Sequence, residues 1–177
     1  MDRMDPAMFQ PPTLLSERLV LEPLSAEKHF GGLRRMAADI EVMRFITGHA
    51  ETPLETIEWL NRVEMRWQTQ QMSWWAIKRD GDMVGAAALQ HIAGKEDAPI
   101  EIGWRLARAE HHKGYASEAG DTILAYAKAK GLSEVYAIAD PKNGPSHRVM
   151  ERLSMQPLGI QTHYNRPCVT YLWKAAK

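Results

Sequence analysis

The run from Ile100 to Gly131 limits the fold more than any other stretch of the chain. Ile100-Glu101-Ile102-Gly103-Trp104-Arg105-Leu106 has the apolar character of a strand. A polar loop from Ala107 to Lys113 follows, and Gly114-Tyr115-Ala116 leads directly into a helix. Ala116, Ala119, Gly120, Ile123, Leu124 and Ala127 fall at helical spacing on one face. Gly131 ends this helix just after Lys128 and Lys130, whose charges suit a helix C-terminus. A strand, a glycine turn and a helix start present free backbone N–H groups at a positive dipole end. That arrangement is a seat for an anion, phosphate above all. Val135 to Ala139 reads as the next strand, so strand, helix and strand form a right-handed parallel crossover.

The rest of the chain reads as one domain over 13–177, with 1–12 as a peripheral or flexible arm. That arm carries two Asp, one Arg and three Pro and lacks the pattern of a signal peptide. Leu19 and Leu21 mark a first strand closed by Pro23. Ser25 caps a helix running to about Ala38, weakened by Gly31-Gly32, and a short helical piece covers Asp39 to Ile46. Thr52-Pro53-Leu54-Glu55 opens a helix to about Thr69. Ser73–Arg79 and Met83–Ile92 form a hairpin around Asp80-Gly81-Asp82. Pro145 starts a helix carrying Val149, Met150 and Leu153. Gln156–Tyr164 and Cys168–Trp173 are final strands around a turn at Asn165-Arg166-Pro167.

Charge and cysteine content narrow the function classes. The 22 basic and 22 acidic residues cancel. This balance argues against nucleic acid or a membrane surface as the main partner. No apolar run approaches the length of a membrane span. The single Cys168 has no internal disulfide partner, which fits a reducing cytoplasm, and its strand setting makes it a buried thiol rather than a nucleophile. Nucleotide-binding signatures such as Gly-x-Gly-x-x-Gly and Gly-x-x-x-x-Gly-Lys-(Ser/Thr) are absent.

His111-His112-Lys113-Gly114-Tyr115-Ala116 resembles the (Gln/Arg)-x-x-Gly-x-(Gly/Ala) motif of the GNAT acetyltransferase family. Glu-Ile-Gly-Trp-Arg-Leu before it, Ser-Glu-Ala after it, and Ser-Glu-Arg-Leu-Val-Leu-Glu-Pro-Leu near the start are similar to the branch of ribosomal-protein N-terminal acetyltransferases. Asn143, Ser146, Arg148, Val149, Glu151, Arg152 and Leu153 resemble the family's Asn-x-x-Ser-x-Arg-Val-(Leu/Met)-Glu-(Lys/Arg)-Leu-Gly-Phe segment. The resemblance spans about Leu14 to Lys174. It implies an α+β fold, an α/β/α sandwich whose central mixed, largely antiparallel sheet is flanked by helices. It also implies transfer of the acetyl group of acetyl-CoA to a primary amine, by direct attack in a ternary complex and without a metal.

The same resemblance implies roles for particular residues. The backbone of His111, His112, Lys113, Gly114, Tyr115, Ala116 and Ser117 would hold the pyrophosphate. Strand N–H groups near Trp104, Arg105 and Leu106 would polarise the thioester carbonyl and pair with the pantetheine arm. Asn143 would bond that arm. Ser146 would lie near the sulfur, and Glu101 on the central strand would act as base, drawing the amine's proton through water. His91, His163 and Tyr164 are rival bases. The chain departs from the family's pattern at four places. His111 replaces the usual Gln or Arg, His112 a frequent Gly, Met150 a thiolate-protonating Tyr, and Ser154-Met155 the Gly-Phe. The missing Tyr keeps a second reading open, an acyl-CoA-binding module or sensor without turnover. The amine acceptor stays open among protein N-termini, polyamines, aminoglycoside-like drugs and amino-acid derivatives. Trp59, Trp67, Arg44, Glu58 and Tyr164 are candidates to line its site, and the Trp-rich early helices allow a homodimer.

Overall fold

A computed structural model describes residues 9–176. An eight-stranded sheet runs through the protein in the order β1-β2-β3-β4-β5-β6-β8-β7. Its strands are β1 (Leu14–Leu15), β2 (Val20–Pro23), β3 (Trp74–Arg79), β4 (Asp82–His91), β5 (Ile100–Leu106), β6 (Glu134–Ala139), β7 (Gln156–His163) and β8 (Arg166–Lys174). The helices are α1 (Ala26–Ala37), α2 (Ile40–Met43), α3 (Pro53–Thr69), α4 (Tyr115–Ala129) and α5 (Gly144–Arg152). Only β5 and β6 are parallel; every other neighbouring pair is antiparallel. The expected mixed, largely antiparallel sheet between helices is therefore present. The two-residue β1 is an addition to the strands read from the sequence.

Local chemistry accounts for the helix ends. Thr52 and Glu55 form a reciprocal capping box with Pro53 at the first turn of α3. Ser25 caps α1, accepting from the Lys28 N–H. Gly32 lowers the helix propensity of α1, but the packing requires it: a Cβ there would come within 2.7 Å of Met83 Sδ on β4. One core joins α4 to the sheet through Ala119, Ile123, Leu124 and Ala127 against Leu89, Ile102 and Val135. A second core joins α1 and α3 to the other face through Leu33, Met36, Leu60 and Val63 with Ala76. Trp67 is buried in the first core, and Trp59 packs edge-on against Trp74 at 5.1 Å.

Several expectations move by a residue or two. The helix expected to start with Pro145 begins at Gly144, with Asn143 as its cap. The last turn lies at Tyr164-Asn165, both with positive φ, and not at Asn165 to Pro167. Pro167 belongs to β8, opposite Thr162 and beyond the last β6 pair at Ala139 and Val169. No ladder bond to β6 is lost to its missing N–H there. Ser154 does adopt the left-handed conformation expected of the family's Gly, at φ 56°, and Met155 is buried in the Phe position. The arm expected over 1–12 lies outside the described residues as far as residue 8. From there Phe9 stacks near Trp67, and the Pro12 carbonyl accepts from Trp75 Nε1 at 2.8 Å.

Candidate active site

The parallel step of the sheet makes the site. β5 and β6 meet only at Glu101 with Tyr136 and Ile102 with Ala137. On its other edge β5 is paired with β4 along its whole length, from Ile100 to Leu106. Gly103 to Leu106 therefore have no partner strand on the β6 side, and a cleft of about 280 Å³ opens there. Its walls include Trp104, Arg105 and Leu106 from β5, His111 to Ser117 except Lys113, and Asn143, Ser146 and Arg148 from the start of α5. The segment Glu41 to Ile46 closes another side. The two loops singled out in the sequence thus face one cavity, one on each side of an open strand edge.

Gly114 caps α4 in the left-handed conformation, at φ 82° and ψ 3°. The first-turn N–H groups after it have no partner within the helix. Ser117 Oγ is buried there without a hydrogen-bond partner, which leaves a donor for an incoming oxyanion. Four arginines, Arg44, Arg105, Arg148 and Arg152, line the cleft with His111 and His112. The one carboxylate among the lining residues, Glu41, pairs with Arg44 at 3.3 Å. A cleft of this charge with orphan donors fits the phosphates of a coenzyme A thioester. Lys113 points elsewhere and pairs with Glu110 at 3.0 Å. His112 takes the left-handed conformation at φ 64°, where the family pattern often has Gly. His111 Nε2 lies 3.2 Å from the Leu106 carbonyl oxygen and ties the loop to β5.

A clamp that the sequence did not reveal holds this loop. Arg18 Nε donates to Glu118 Oε2 at 2.7 Å, and the Arg18 N–H and Ser16 hydroxyl both donate to Glu118 Oε1 at 2.7 Å. Burial alone would raise the Glu118 pKa, but these bonds hold it below the ordinary value. Arg18 Nη1 also reaches the Lys113 carbonyl at 3.1 Å, and its guanidinium lies 4.8 Å over the Tyr115 ring.

On the face of β5 away from α4, which it shares with Arg105, Glu101 is 6% exposed and sits at the paired end of the strand, outside the lining of the cleft. Its Oε1 accepts from Gln90 Nε2 at 3.0 Å and from the Tyr164 hydroxyl. Gln90 Oε1 in turn accepts from Arg66 Nη1 at 3.1 Å and Trp74 Nε1 at 3.0 Å. Burial pushes the Glu101 carboxyl above the usual range, against the hydrogen bonds from Tyr164 and Gln90. Burial and the neighbouring carboxylate push Tyr164 upward as well. Tyr164 accepts from the Ala93 N–H at 3.1 Å and donates to Glu101, so it acts as a phenol donor rather than a base. Its rival His91 bonds the Ala98 carbonyl, and burial lowers the pKa of His163. Gln90 was missed in the sequence, although a lone Gln closing the run Ala86-Ala87-Ala88-Leu89 was a signal of a paired buried polar group.

Asn143 Oδ1 accepts from the Ser146 N–H at 3.3 Å, which fixes the first turn of α5. Ser146 faces the cleft and its Oγ has no partner among the described residues. Met150, where a Tyr would have stood, is buried in the core at 1% exposure. Among the described residues no group of His, Cys, Asp and Glu is arranged to hold a metal ion, and no helix is long and apolar enough to cross a membrane.

A sheet that opens at its one parallel step, beside a glycine-capped helix start, defines a coenzyme A-dependent acyltransferase fold. The model of the acetyltransferase (GNAT) domain matches residues 18–156, and the chain belongs to the GNAT acetyltransferase family. It is 27% identical over 159 residues to the uncharacterised N-acetyltransferase p20 of Bacillus licheniformis, covering 87% of this chain and 88% of that protein. An acetyltransferase from Agrobacterium tumefaciens superposes with a TM-score of 0.81 at 22% identity, covering 98% of this chain and all of the other. RimL, a ribosomal alpha-N-protein acetyltransferase solved in complex with coenzyme A, superposes with a TM-score of 0.77 at 14% identity, covering 92% and 98%. At these identities the structural likeness bears on the fold.

Proposed function

We propose that this N-acetyltransferase binds acetyl-CoA along the open edge of β5 and passes the acetyl group directly to a primary amine. The observation that carries this reading is the unpaired edge from Gly103 to Leu106, flanked by the Gly114 loop and by Ser146. The backbone of His111 to Ser117, the Ser117 hydroxyl and Arg148 hold the phosphates. Asn143 steadies the pantetheine arm. N–H groups of the open edge polarise the thioester carbonyl as it gains negative charge. The amine nitrogen forms the new bond to the acetyl carbon, and Glu101 receives its proton through an intervening water. The carbon–sulfur bond then breaks and the thiolate departs toward Ser146, whose hydroxyl donates a hydrogen bond to it.

Titration of acetyl-CoA, followed by thiol release across a panel of amines, tests this reading. Saturable binding with amine-dependent release is expected. Binding with no release on any amine would instead leave a coenzyme A-binding module. Ser146→Ala is expected to lower turnover by about 10- to 100-fold, the loss of one hydrogen bond to a developing charge. Its acetyl-CoA affinity should stay within about twofold, because the hydroxyl acts once charge appears on sulfur. Rate and affinity measured on one preparation of the variant decide this, and unchanged turnover removes Ser146 from the chemistry.

A further inference from the structure

Arg105 has a buried guanidinium without an anion. The residue is 5% exposed and lines the same cleft as Gly114 and Ser146. Its guanidinium lies over the Trp59 ring at 4.2 Å and the Trp74 ring at 5.2 Å. Nη1 is 3.6 Å from Met43 Sδ, a weak acceptor. Nε is buried and unpartnered, and Nη2 has no hydrogen bond among the described residues. Glu51 is near enough to favour the charged form but does not pair with it, and burial draws the pKa down to about 10. A charged group so placed is costly unless something else completes it.

The unbonded edge identifies what would complete it. Nε and Nη2 form the planar fork that takes the two oxygens of a carboxylate side by side. Alternation along β5 puts Arg105, Gly103 and Glu101 on one face. Gly103 contributes no side chain, and a Cβ there would meet only the edge of the Trp74 ring, at 3.9 Å. The face thus has a carboxyl at one end and a guanidinium at the other, with no β5 side chain between them and the edge of the Trp74 ring over the gap.

We infer that Arg105 binds a carboxylate carried by the acceptor, so that the acceptor is a small amino acid or a similar zwitterion. This rests on the acetyl-transfer reading above and names its substrate class. The ammonium end of such a molecule is directed toward Glu101 and the carboxylate end toward Arg105. A polyamine would bring more positive charge to a buried guanidinium and to a cleft lined by four arginines. A peptide N-terminus has its first carboxyl tied up in an amide and leaves the fork empty.

Thiol release measured on matched pairs of amino acids and their carboxamides tests this, with N-terminal peptides and a polyamine alongside. The wild-type protein is expected to favour the carboxylate member by about 10- to 100-fold in kcat/KM, mostly through KM. Arg105→Met should collapse that ratio toward one, and Arg105→Lys should restore part of it. The ratio between paired substrates separates recognition from a merely structural role. Removing a buried charge for an apolar residue of similar length is compatible with folding. Should Arg105→Met fail to fold, the wild-type ratio and the Lys variant still decide. A wild-type ratio near one, or a preference for peptides or the polyamine, overturns the inference and leaves acetyl transfer standing. A ratio that persists in Arg105→Met overturns it too, and places the carboxylate elsewhere. Acetyl-CoA binding without release on any amine overturns the acetyl-transfer reading itself.

Discussion

Replacing Gly114 with valine is expected to weaken acetyl-CoA binding by about 100-fold while the protein still folds. Gly114 caps α4 at φ 82°, a conformation that a β-branched residue resists by about 1–3 kcal/mol. Valine relieves that strain by turning the peptide toward negative φ. The turn moves the N–H groups that precede α4, and with them the seat for the pyrophosphate. The new Cβ also comes within 3.4 Å of Arg18 Nη2, in the clamp that holds the loop. A loss of about 2.7 kcal/mol corresponds to the hundredfold stated. The two cores do not depend on this position, so the melting transition should stay cooperative. Calorimetric titration with acetyl-CoA and a thermal melt of the same sample check the prediction. Unchanged affinity would remove the loop from phosphate binding.

Glu101→Gln is expected to lower kcat at pH 7 by about 100- to 1000-fold, within the usual range for a positioned base. Gln retains an Oε1 that accepts from Gln90 and Tyr164, so the buried network keeps its shape. It loses only the capacity to take a proton. The pH profile gives the more specific test. Burial raises the Glu101 pKa, so in the wild type the rate should climb as this group deprotonates above the ordinary carboxylate range. That acid limb should vanish in the variant. The stability effect has the opposite sign. With its pKa raised by folding, Glu101 holds its proton more tightly in the folded state. It therefore lowers stability as pH rises through the window between the two values. The variant should then be no less stable than the wild type at neutral pH, which separates lost catalysis from lost structure. An unaltered pH profile would move the proton to a rival such as His163 or Tyr164, or to bulk water.

What was legible in the sequence was local or carried by motif. Helix starts at Thr52, Gly114 and Asn143 follow from side chains within a few residues of the bonds they make. Ser154 could be placed in the left-handed region because it stands where a helix must stop. The two loops that face the cleft were legible for the same reason, since each is continuous in sequence and begins a helix. The contacts around Glu101, Arg105 and Arg18 were not. Arg105 meets Trp59 and Trp74, Glu101 meets Gln90 and Tyr164, and Arg18 meets Glu118. Each partner lies on another strand, helix or hairpin, and only the sheet order brings them together. Alternation correctly put Glu101, Gly103 and Arg105 on one face, but it could not say what packs over that face.

The final hairpin links β5 to the wall of the cleft. Tyr164 at its turn grips Glu101, and Arg166 Nη2, two residues on, grips the Phe45 carbonyl at 3.0 Å in the wall opposite β5. The phosphate seat draws on neither contact. These two contacts of the final hairpin therefore lie on a stretch of chain separate from the Gly114 loop and the start of α5. Altering the length or sequence of one surface turn would change the hold on Glu101 and shift a pocket wall together, away from the Gly114 loop. Such a protein can acquire a new acceptor by small steps in its final hairpin, each made in a molecule that still binds the same acetyl donor.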